Sequence, residues 1–329
     1  MLNLSIAHES WPIAGGFTIS RGTKRSAEIV TVTLEDANGH TGRGECVPYP
    51  RYGESVEGVV AALETARDAI ETGLGREEVA AIVEPRAGRN ALDCALWDLE
   101  AKAAGKRAWE IAGLNEPGLL ETAYTLSLQS PEAMARAAAE NSARPLLKLK
   151  LGATDGRDPE RLRAIRAAAP ETRLIIDANE GWAPADLSAM FEVCAEVGIA
   201  LVEQPLPAGD DGLLAEIERP IMVCADESAH DAETLDQVLG RYDAVNIKLD
   251  KTGGLTNALH FAEAARAEGL TLFTGCMLAT SLSMAPAMLV AGVSEFVDLD
   301  GPLLLAKDRE PGIDFQGSSM RPAPAALWG

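Results

Sequence analysis

Three acidic residues and one lysine recur at regular spacing in the second half of the chain. Asp177, Glu203 and Asp226 end the apolar segments "RLIIDAN", "IALVEQP" and "IMVCADES", and Lys248 lies in "AVNIKLD". The intervals of 26, 23 and 22 residues each match one βα unit, so these side chains would meet at one end of a parallel sheet. Three converging carboxylates repel one another unless a hard cation binds them. The spacing therefore predicts a site for one Mg²⁺, although each acid taken singly also suits a helix N-cap or a salt bridge.

Two further lysines alternate within the apolar segment "LLKLKLG". Lys148 and Lys150 are two residues apart, so in a strand both point to the same face. An edge strand with protective lysines is one interpretation. The other is a catalytic cavity in which a lysine close to a cation acts as a base near neutral pH. Lys248 would then lie across the cavity, unless it only forms a salt bridge with Asp226 or Asp250.

Eight short apolar segments would have to position these residues. They alternate with Ala/Glu/Arg-rich stretches from about residue 120 onwards, a pattern typical of parallel βα units closed into a barrel. No G-x-G-x-x-G motif follows an early strand, so a dinucleotide-binding fold is not supported. The segments are "AYTLSL", "LLKLKL", "RLIIDAN", "IALVEQP", "IMVCADES", "AVNIKLD", "TLFTGC" and "EFVDLD".

The first part of the chain has a different organisation. Residues 2–46 are β-rich, with a hairpin around "DANGH", and helical patterns follow at about 55–74 and 89–106. We therefore predict an α+β domain over residues 1–115 and a barrel domain over 116–304. The tail, 305–329, continues no βα pattern and is predicted to pack on the first domain.

Composition excludes several classes of function. The 329 residues carry a formal charge of −21, which argues against binding to nucleic acids or to anionic membranes. The five cysteines are widely spaced and form no CxxC motif, which favours reduced thiols in a cytoplasmic protein. The N-terminus does not read as a signal peptide, and no apolar run approaches the length of a membrane-spanning helix.

These motifs together resemble the enolase superfamily, in its muconate-lactonizing subgroup. The resemblance rests on the KxK of "KLKLG", on "DANEGW", "VEQP" and "ADES", and on "NIKLDKTGG", and it covers nearly the whole chain. It implies an N-terminal α+β capping domain and a modified (β/α)7β TIM-like barrel. It also implies Mg²⁺ with a lysine base. The mandelate-racemase branch would need a histidine after the seventh strand, where this chain has "TLFTGCML".

The segments "PYPRYGES", "GCMLATSLSM" and "DLDGP" resemble those of the bacterial dipeptide epimerases that act on L-Ala-D/L-Glu and handle murein peptides. Asp298 and Asp300, in "FVDLDGP", would bind the free ammonium group of such a dipeptide, or else would form a structural pair. Cations in loops of the capping domain would read a glutamate side chain, although each could also be an ordinary surface charge. The remaining substrate-binding candidates are Arg21, Lys24, Tyr52, Cys276 and Met277.

The resemblance implies a 1,1-proton transfer in which Lys150 and Lys248 exchange the roles of base and acid. Lys148 would keep its charge, lower the pKa of Lys150 and help to stabilise the enolate. Supporting roles in orienting the site are predicted for Asn179, Glu227 and Asp250.

The same barrel and lysines also serve other reactions. These are o-succinylbenzoate synthesis, N-acylamino-acid racemisation and muconate cycloisomerisation, and a non-catalytic ligand-binding barrel is the alternative outside enzymes. Members of the superfamily often assemble, so a homo-oligomer is left open.

Overall fold

The computed structural model describes residues 1–84 and 86–329, which form three β-sheets with surrounding helices. The first sheet is antiparallel and pairs its strands in the order β1-β2-β3. The Asp36 carboxylate accepts hydrogen bonds from the backbone N–H groups of Asn38 and His40, which closes the predicted hairpin between β2 and β3. The elements are β1 Leu2–Ile19, β2 Gly22–Asp36, β3 Thr41–Cys46, α1 Val56–Thr65, α2 Arg67–Glu71, α3 Arg76–Ile82, α4 Ala87–Ala104 and α5 Ala108–Ile111.

Helix α4 lies directly on β3 because two glycines leave room for it. A Cβ atom at Gly42 or Gly44 would collide with the backbone oxygens of Ala95 or Ala91. The helix ends at Gly105, whose φ of 63° lies in the left-handed region that glycine adopts readily. The helix predicted at about 89–106 is thus present, with its start two residues earlier.

The second sheet is the predicted barrel, and all eight apolar segments contribute a strand to it. The strands are parallel and follow sequence order, and Ala123 N donates to Val297 O at 2.8 Å to join the first strand to the last. One buried residue from each strand or its flank fills the interior. The strands are β5 Tyr124–Leu126, β6 Leu146–Lys150, β7 Arg173–Asp177, β8 Ile199–Glu203, β9 Met222–Ala225, β10 Ala244–Ile247, β11 Thr271–Gly275 and β12 Phe296–Asp298. The interior residues are Ala123, Leu146, Ile175, Leu201, Cys224, Ala244, Phe273 and Phe296.

Helices connect successive barrel strands, except that the β8–β9 connection has a 3-10 turn at Gly212–Ala215. Three other 3-10 turns lie at Pro50–Tyr52, Pro184–Asp186 and Ala232–Thr234. The helices are α6 Pro131–Glu140, α7 Asp158–Ala168, α8 Leu187–Glu196, α9 Leu235–Val238, α10 Leu249–Thr252, α11 Leu255–Ala267, α12 Ser281–Ala291 and α13 Gly301–Leu304.

The C-terminal tail returns to helix α4. Trp328 Nε1 donates to Cys94 O at 2.9 Å, and Gly329 N donates to the Asp98 carboxylate at 2.6 Å. The third sheet joins the tail to the segment before the barrel, with strands β4 Leu120–Glu121, β13 Phe315–Gln316 and β14 Ser319–Met320. Within residues 1–84 and 86–329, every helix is too short or too polar to cross a membrane.

Candidate active site

The register of the parallel strands brings the three predicted acids together. Asp177 pairs with Glu203 across β7 and β8, and Glu203 pairs with Cys224, two residues before Asp226. One carboxylate oxygen from each acid lies within 4.8 Å of the others, and all three side chains are buried. This is the arrangement that the one-unit spacing predicts for the C-terminal ends of barrel strands.

The lysines flank the acids on two sides. Lys148 and Lys150 lie on β6 and Lys248 directly follows β10, four strands away in a barrel of eight. Lys150 Nζ lies 2.5 Å from the Asp177 carboxylate, and Lys248 Nζ lies 2.6 Å from that of Asp226. The salt bridge considered for Lys248 therefore exists in the structure, as one side of a cluster of acids between two amines.

Lys148 lies deeper in this cluster. Its Nζ is 2.6 Å from Glu203 Oε2 and 2.7 Å from Asp298 Oδ2, and the side chain is 1% exposed. Burial lowers the pKa of Lys148, but Asp298, Glu203 and Asp177 more than offset this and raise it well above its ordinary value. Burial also lowers the pKa of Lys248, but the carboxylates of Asp226 and Glu203 outweigh this effect and raise it well above its ordinary value. Both groups therefore hold their protons while the acids pair with them.

The pKa values of the three acids shift in different directions. Burial raises the pKa of Asp177, but Lys150 and Lys148 reverse the shift and lower it to about 2. At Asp226 burial is outweighed by Lys248 and Lys251, so its pKa is well below the ordinary value. At Glu203, burial and repulsion from Asp177 dominate, and the pKa is raised. Additional positive charge at the cluster would favour the ionised form of all three.

The residues present fit a hard divalent cation. The donor set is three carboxylate oxygens, the ligands that Mg²⁺ prefers. Glu203 Oε2 accepts no hydrogen bond from residues 1–84 or 86–329, so its 2.6 Å contact with Lys148 is an ion pair without hydrogen-bond geometry. Asn179 Oδ1 and Glu227 Oε2 are also buried without a hydrogen-bond donor from that part of the chain. Unpaired buried oxygens around three acids suit a hydrated cation.

Several residues that support the acids were missed by the sequence reasoning. Lys251 is fully buried, and its Nζ donates to Asp226 Oδ1, Asp226 O and Asn246 O at 2.6, 2.5 and 2.8 Å. Asn246 Nδ2 donates to Glu203 Oε1 at 2.7 Å. The spacing of Lys251, three residues after Lys248, would place both on one helical turn and could have identified it.

Gln204 is a second missed residue. It directly follows Glu203, is fully buried and has a φ of 36°. Its Oε1 accepts hydrogen bonds from the backbone N–H groups of Asp226 and Ser228, and its Nε2 donates to Leu206 O and Tyr242 OH. One buried amide thus ties together the two turns that carry Glu203 and Asp226.

The three residues with predicted supporting roles occupy different surroundings. Asn179 holds Asp177, because its backbone N and Nδ2 donate to that carboxylate at 2.8 and 3.1 Å. Glu227 Oε1 accepts a hydrogen bond from Arg21 at 2.9 Å, and burial with repulsion from Asp226 raises the pKa of Glu227 to about 8. The Asp250 carboxylate accepts hydrogen bonds from Val47 N and Asn90 Nδ2 of the N-terminal part.

A cavity of about 900 Å³ opens above the acids, between the barrel and the N-terminal sheet. Cys276 and Met277 line it, as do Asp298 and Asp300. Strand β12 ends at Asp298, so Asp300 lies beyond it and accepts a hydrogen bond from Thr125 N at 2.6 Å. Burial and the charge of Asp298 raise the pKa of Asp300 to about 7. Since Asp298 pairs with Lys148, Asp300 is the carboxylate more available to a cationic ligand.

The three predicted residues of the N-terminal domain also line this cavity. Arg21 is already paired, with Glu180 at 3.2 Å and Glu227 at 2.9 Å. Lys24 is the third residue of β2, and its Nζ lies 4.7 Å from the Tyr49 ring centroid. It is exposed at the rim, yet desolvation by its neighbours and the charge of Arg21 lower its pKa, and no carboxylate of the described residues opposes this. Tyr52 packs edge-on against Tyr49, with ring centroids 5.5 Å apart.

Known proteins of similar sequence cover nearly the whole chain. It is 44% identical over 317 residues to the L-Ala-D/L-Glu epimerase of Escherichia coli strain K12, covering 96% of this chain and 98% of that protein. It is 40% identical over 304 residues to an N-acetyl-D-glutamate racemase of a Pseudoalteromonas species, covering 92% and 95%.

Solved structures are similar over the same span. An enolase family member from Agrobacterium tumefaciens with homology to dipeptide epimerases, which contains sodium and L-Ala-L-Glu, shares 55% identity and a TM-score of 0.97 over 100% of both chains. The dipeptide epimerase of Cytophaga hutchinsonii, complexed with Mg and D-Ala-L-Val, shares 27% identity and a TM-score of 0.90 over 98% of this chain and 94% of that one.

Two family models match most of the sequence. Residues 1–113 match the N-terminal domain of mandelate racemase / muconate lactonizing enzyme, and residues 132–316 match the enolase C-terminal domain-like family. The expected resemblance and the barrel with its capping domain are confirmed by these matches and by the fold. The chain belongs to the enolase superfamily, in the family of mandelate racemase and muconate lactonizing enzyme.

Proposed function

We propose that the protein is a Mg²⁺-dependent dipeptide epimerase that interconverts L-Ala-L-Glu and L-Ala-D-Glu at the C-terminal α-carbon. One observation carries this proposal: two amines on opposite barrel strands enclose a cluster of three acids beneath a single cavity. A carbon held between two amines can lose a proton to one and receive a proton from the other on its opposite face.

Asp177, Glu203 and Asp226 would hold the ion. When bound, Mg²⁺ supplies positive charge that stabilises negative charge developing on the substrate carboxylate. Lys150 and Lys248 exchange the roles of base and acid with the direction of the reaction. An ion held by Asp226 and Glu203 would offset the two carboxylates that raise the pKa of Lys248, and so would favour its neutral, basic form. Lys148 is held by Asp298 and Glu203, so it keeps its proton and contributes a fixed positive charge beside the reacting centre.

Asp300, with Asp298 beside it, would bind the ammonium group of the dipeptide. The two carboxylates line the cavity at the end of β12 and just beyond it, and Lys148 lies between Asp298 and Glu203. A buried carboxylate without a cationic partner gains most from a charged ligand. Within residues 1–84 and 86–329, Asp300 forms no salt bridge, whereas Asp298 already pairs with Lys148.

Lys24 would bind the side-chain carboxylate of the substrate glutamate. Arg21 shares its charge between Glu180 and Glu227, whereas Lys24 points over Tyr49 at the cavity rim. The lowered pKa of Lys24 would recover when a substrate carboxylate arrives. Arg21 and Tyr52 would then shape this wall of the cavity, and Cys276 and Met277 the opposite one.

N-acylamino-acid racemisation is the second candidate function, because one relative at 40% identity is an N-acetyl-D-glutamate racemase. Acylation removes the positive charge of the amino group, so an N-acylamino acid offers Asp300 no cationic partner. The related reactions of o-succinylbenzoate synthesis and muconate cycloisomerisation likewise use no ammonium site.

The test compares substrates in deuterated water with Mg²⁺. The purified protein should incorporate deuterium at the glutamate α-carbon of L-Ala-L-Glu while forming L-Ala-D-Glu, and should act more slowly on N-acetyl-glutamate. Faster turnover of N-acetyl-glutamate would reverse the order of the two candidates. Turnover of neither substrate, with Mg²⁺ present, would contradict both.

We further propose that residues 1–115 with the tail 305–329 form the capping domain and that 116–304 form the catalytic barrel. The hydrogen bonds from Trp328 and Gly329 to helix α4 support this division. A cytoplasmic role in recycling murein peptides is proposed from the substrate class and from the five free cysteines. Light scattering on the purified protein would measure whether copies assemble.

A further inference from the structure

Glu180 is fixed on the barrel beside the cavity. It lies just after β7, with a φ of 66°, and the preceding Asn179 has a φ of 46°. Its backbone N donates to Gln204 O at 2.9 Å, and its Oε1 accepts a hydrogen bond from Ala208 N at 2.8 Å. The side chain is 10% exposed. Backbone and carboxylate are therefore both held by the turn that follows β8.

Two arginines from the N-terminal part converge on this one carboxylate. Arg51 Nε and NH2 donate to Glu180 Oε2 and Oε1, both at 2.7 Å, which is a bidentate pair. Arg21 NH1 reaches Glu180 Oε2 at 3.2 Å and Asn179 O at 3.0 Å. Arg21 belongs to the tip between β1 and β2, and Arg51 to the loop between β3 and α1.

The two segments carry the residues that face the substrate space. Arg21 NH2 donates to Tyr49 OH at 3.1 Å, Lys24 lies over the Tyr49 ring, and Tyr49 packs against Tyr52. Lys24 and Tyr52 line the cavity, whereas Glu180 is outside the set of described residues that line it. Glu180 therefore touches the substrate space through the residues that it holds, chiefly Arg21 and Arg51 of the two segments.

We propose that Glu180 is a positioning residue that holds both segments over the barrel mouth and so determines the affinity for the dipeptide. Arg21 keeps a second anionic partner in Glu227, but Arg51 has only Glu180 among the residues described. Loss of the Glu180 charge therefore releases the β3–α1 loop first, and the tip follows through Tyr49. The substrate part of this proposal rests on the proposed function, whereas the positioning of the segments does not.

The test uses Glu180→Gln, which keeps the side-chain size and an oxygen for Ala208 N but removes the charge. Tryptic cleavage after Arg21, Lys24, Arg25 and Arg51, mapped by mass spectrometry, should accelerate by about fivefold or more as the segments open. KM for L-Ala-L-Glu should rise about five- to tenfold, with kcat changed less than about twofold. A purely structural role would lower the amount of folded enzyme and so reduce the apparent kcat without this rise in KM.

Glu196→Gln is the matched control, because Glu196 forms an equally bidentate pair with Arg163, at 2.9 and 2.6 Å, between α7 and α8. It should leave both readouts unchanged. Arg51→Gln removes the same ion pair from the other side together with one tryptic site, and it should reproduce the faster cleavage after Arg21, Lys24 and Arg25 and the rise in KM if Glu180→Gln does not fold. Cleavage rates and KM at the wild-type level in both variants would overturn the proposal. If wild-type enzyme turns over no dipeptide, the tryptic measurement alone still decides the positioning role.

Discussion

Asp250 carries a charge in a place where the fold favours a neutral group. Its Oδ1 accepts hydrogen bonds from Val47 N at 3.1 Å and from Asn90 Nδ2 at 2.9 Å, and the side chain is 3% exposed. Burial raises its pKa from 3.8 to about 7, and the two hydrogen bonds oppose this only in part. Asp250→Asn keeps an oxygen that can accept both hydrogen bonds and removes the charge.

The sign of the effect follows from linkage between protonation and folding. Because the pKa is raised in the folded chain, the stabilising contribution of the protonated carboxyl is complete below about pH 3.8 and is lost as the pH rises to about 7. At about 1.4 kcal/mol per tenfold change in proton affinity, the cost is about 2 kcal/mol near pH 5 and about 4 kcal/mol near pH 8. Asp250→Asn has no carboxylate to ionise. Its free energy of unfolding relative to the wild type should therefore increase by about 2–3 kcal/mol from about pH 5 to about pH 8.

Thermal unfolding followed by scanning fluorimetry measures this difference. With about 2.1 cal/mol/K of unfolding entropy per residue, a chain of 329 residues shifts its Tm by about 1.5 °C per kcal/mol. The Tm of Asp250→Asn minus that of the wild type should therefore widen by about 3–4 °C from about pH 5 to about pH 8. Asp210→Asn, at an exposed turn, controls for the change in net charge. A gap that stays constant or narrows with rising pH would refute the reasoning.

Three further outcomes are expected. KM for L-Ala-L-Glu should fall about five- to tenfold between about pH 6 and pH 7.5, because Asp300 must ionise to bind an ammonium group and its pKa is raised to about 7. KM for N-acetyl-glutamate should show no such fall. Lys24→Met should raise KM for L-Ala-L-Glu about tenfold but leave KM for L-Ala-L-Ala nearly unchanged, and equal changes would contradict its role. Gln204→Ala should weaken Mg²⁺ binding at least about tenfold in a calorimetric titration, because the backbone N–H groups of Asp226 and Ser228 lose their acceptor; unchanged affinity would count against it.

The acids and lysines could be predicted because they lie in or at the ends of apolar segments that recur once per βα unit. Parallel strands separated by one βα unit must end at one height, so the positions of Asp177, Glu203 and Asp226 followed from their spacing. Alternation within β6 likewise puts Lys148 and Lys150 on one face. The geometry agrees with these placements, and the roles of the residues remain predictions.

The sequence was less informative wherever the chain leaves a strand. The supporting role of Asp250 stays a prediction, but its surroundings did not follow from the sequence: helix α10 begins at Leu249, and the Asp250 carboxylate accepts a hydrogen bond from Asn90. Glu180 and Gln204 depend on left-handed backbone conformations that single-sequence patterns do not indicate for these residue types. The contact between Arg51 and Glu180 joins the N-terminal part to the barrel across 129 positions, and no local pattern indicates it.

The central claim is that Lys150 and Lys248 reach one carbon from opposite sides. It is tested most directly by α-proton exchange in deuterated water, measured separately from L-Ala-L-Glu and from L-Ala-D-Glu. Lys150→Ala should lose exchange from one epimer and Lys248→Ala from the other, with inversion abolished in both. Loss of exchange from the same epimer in both variants, or inversion at the wild-type rate in either, would contradict the claim.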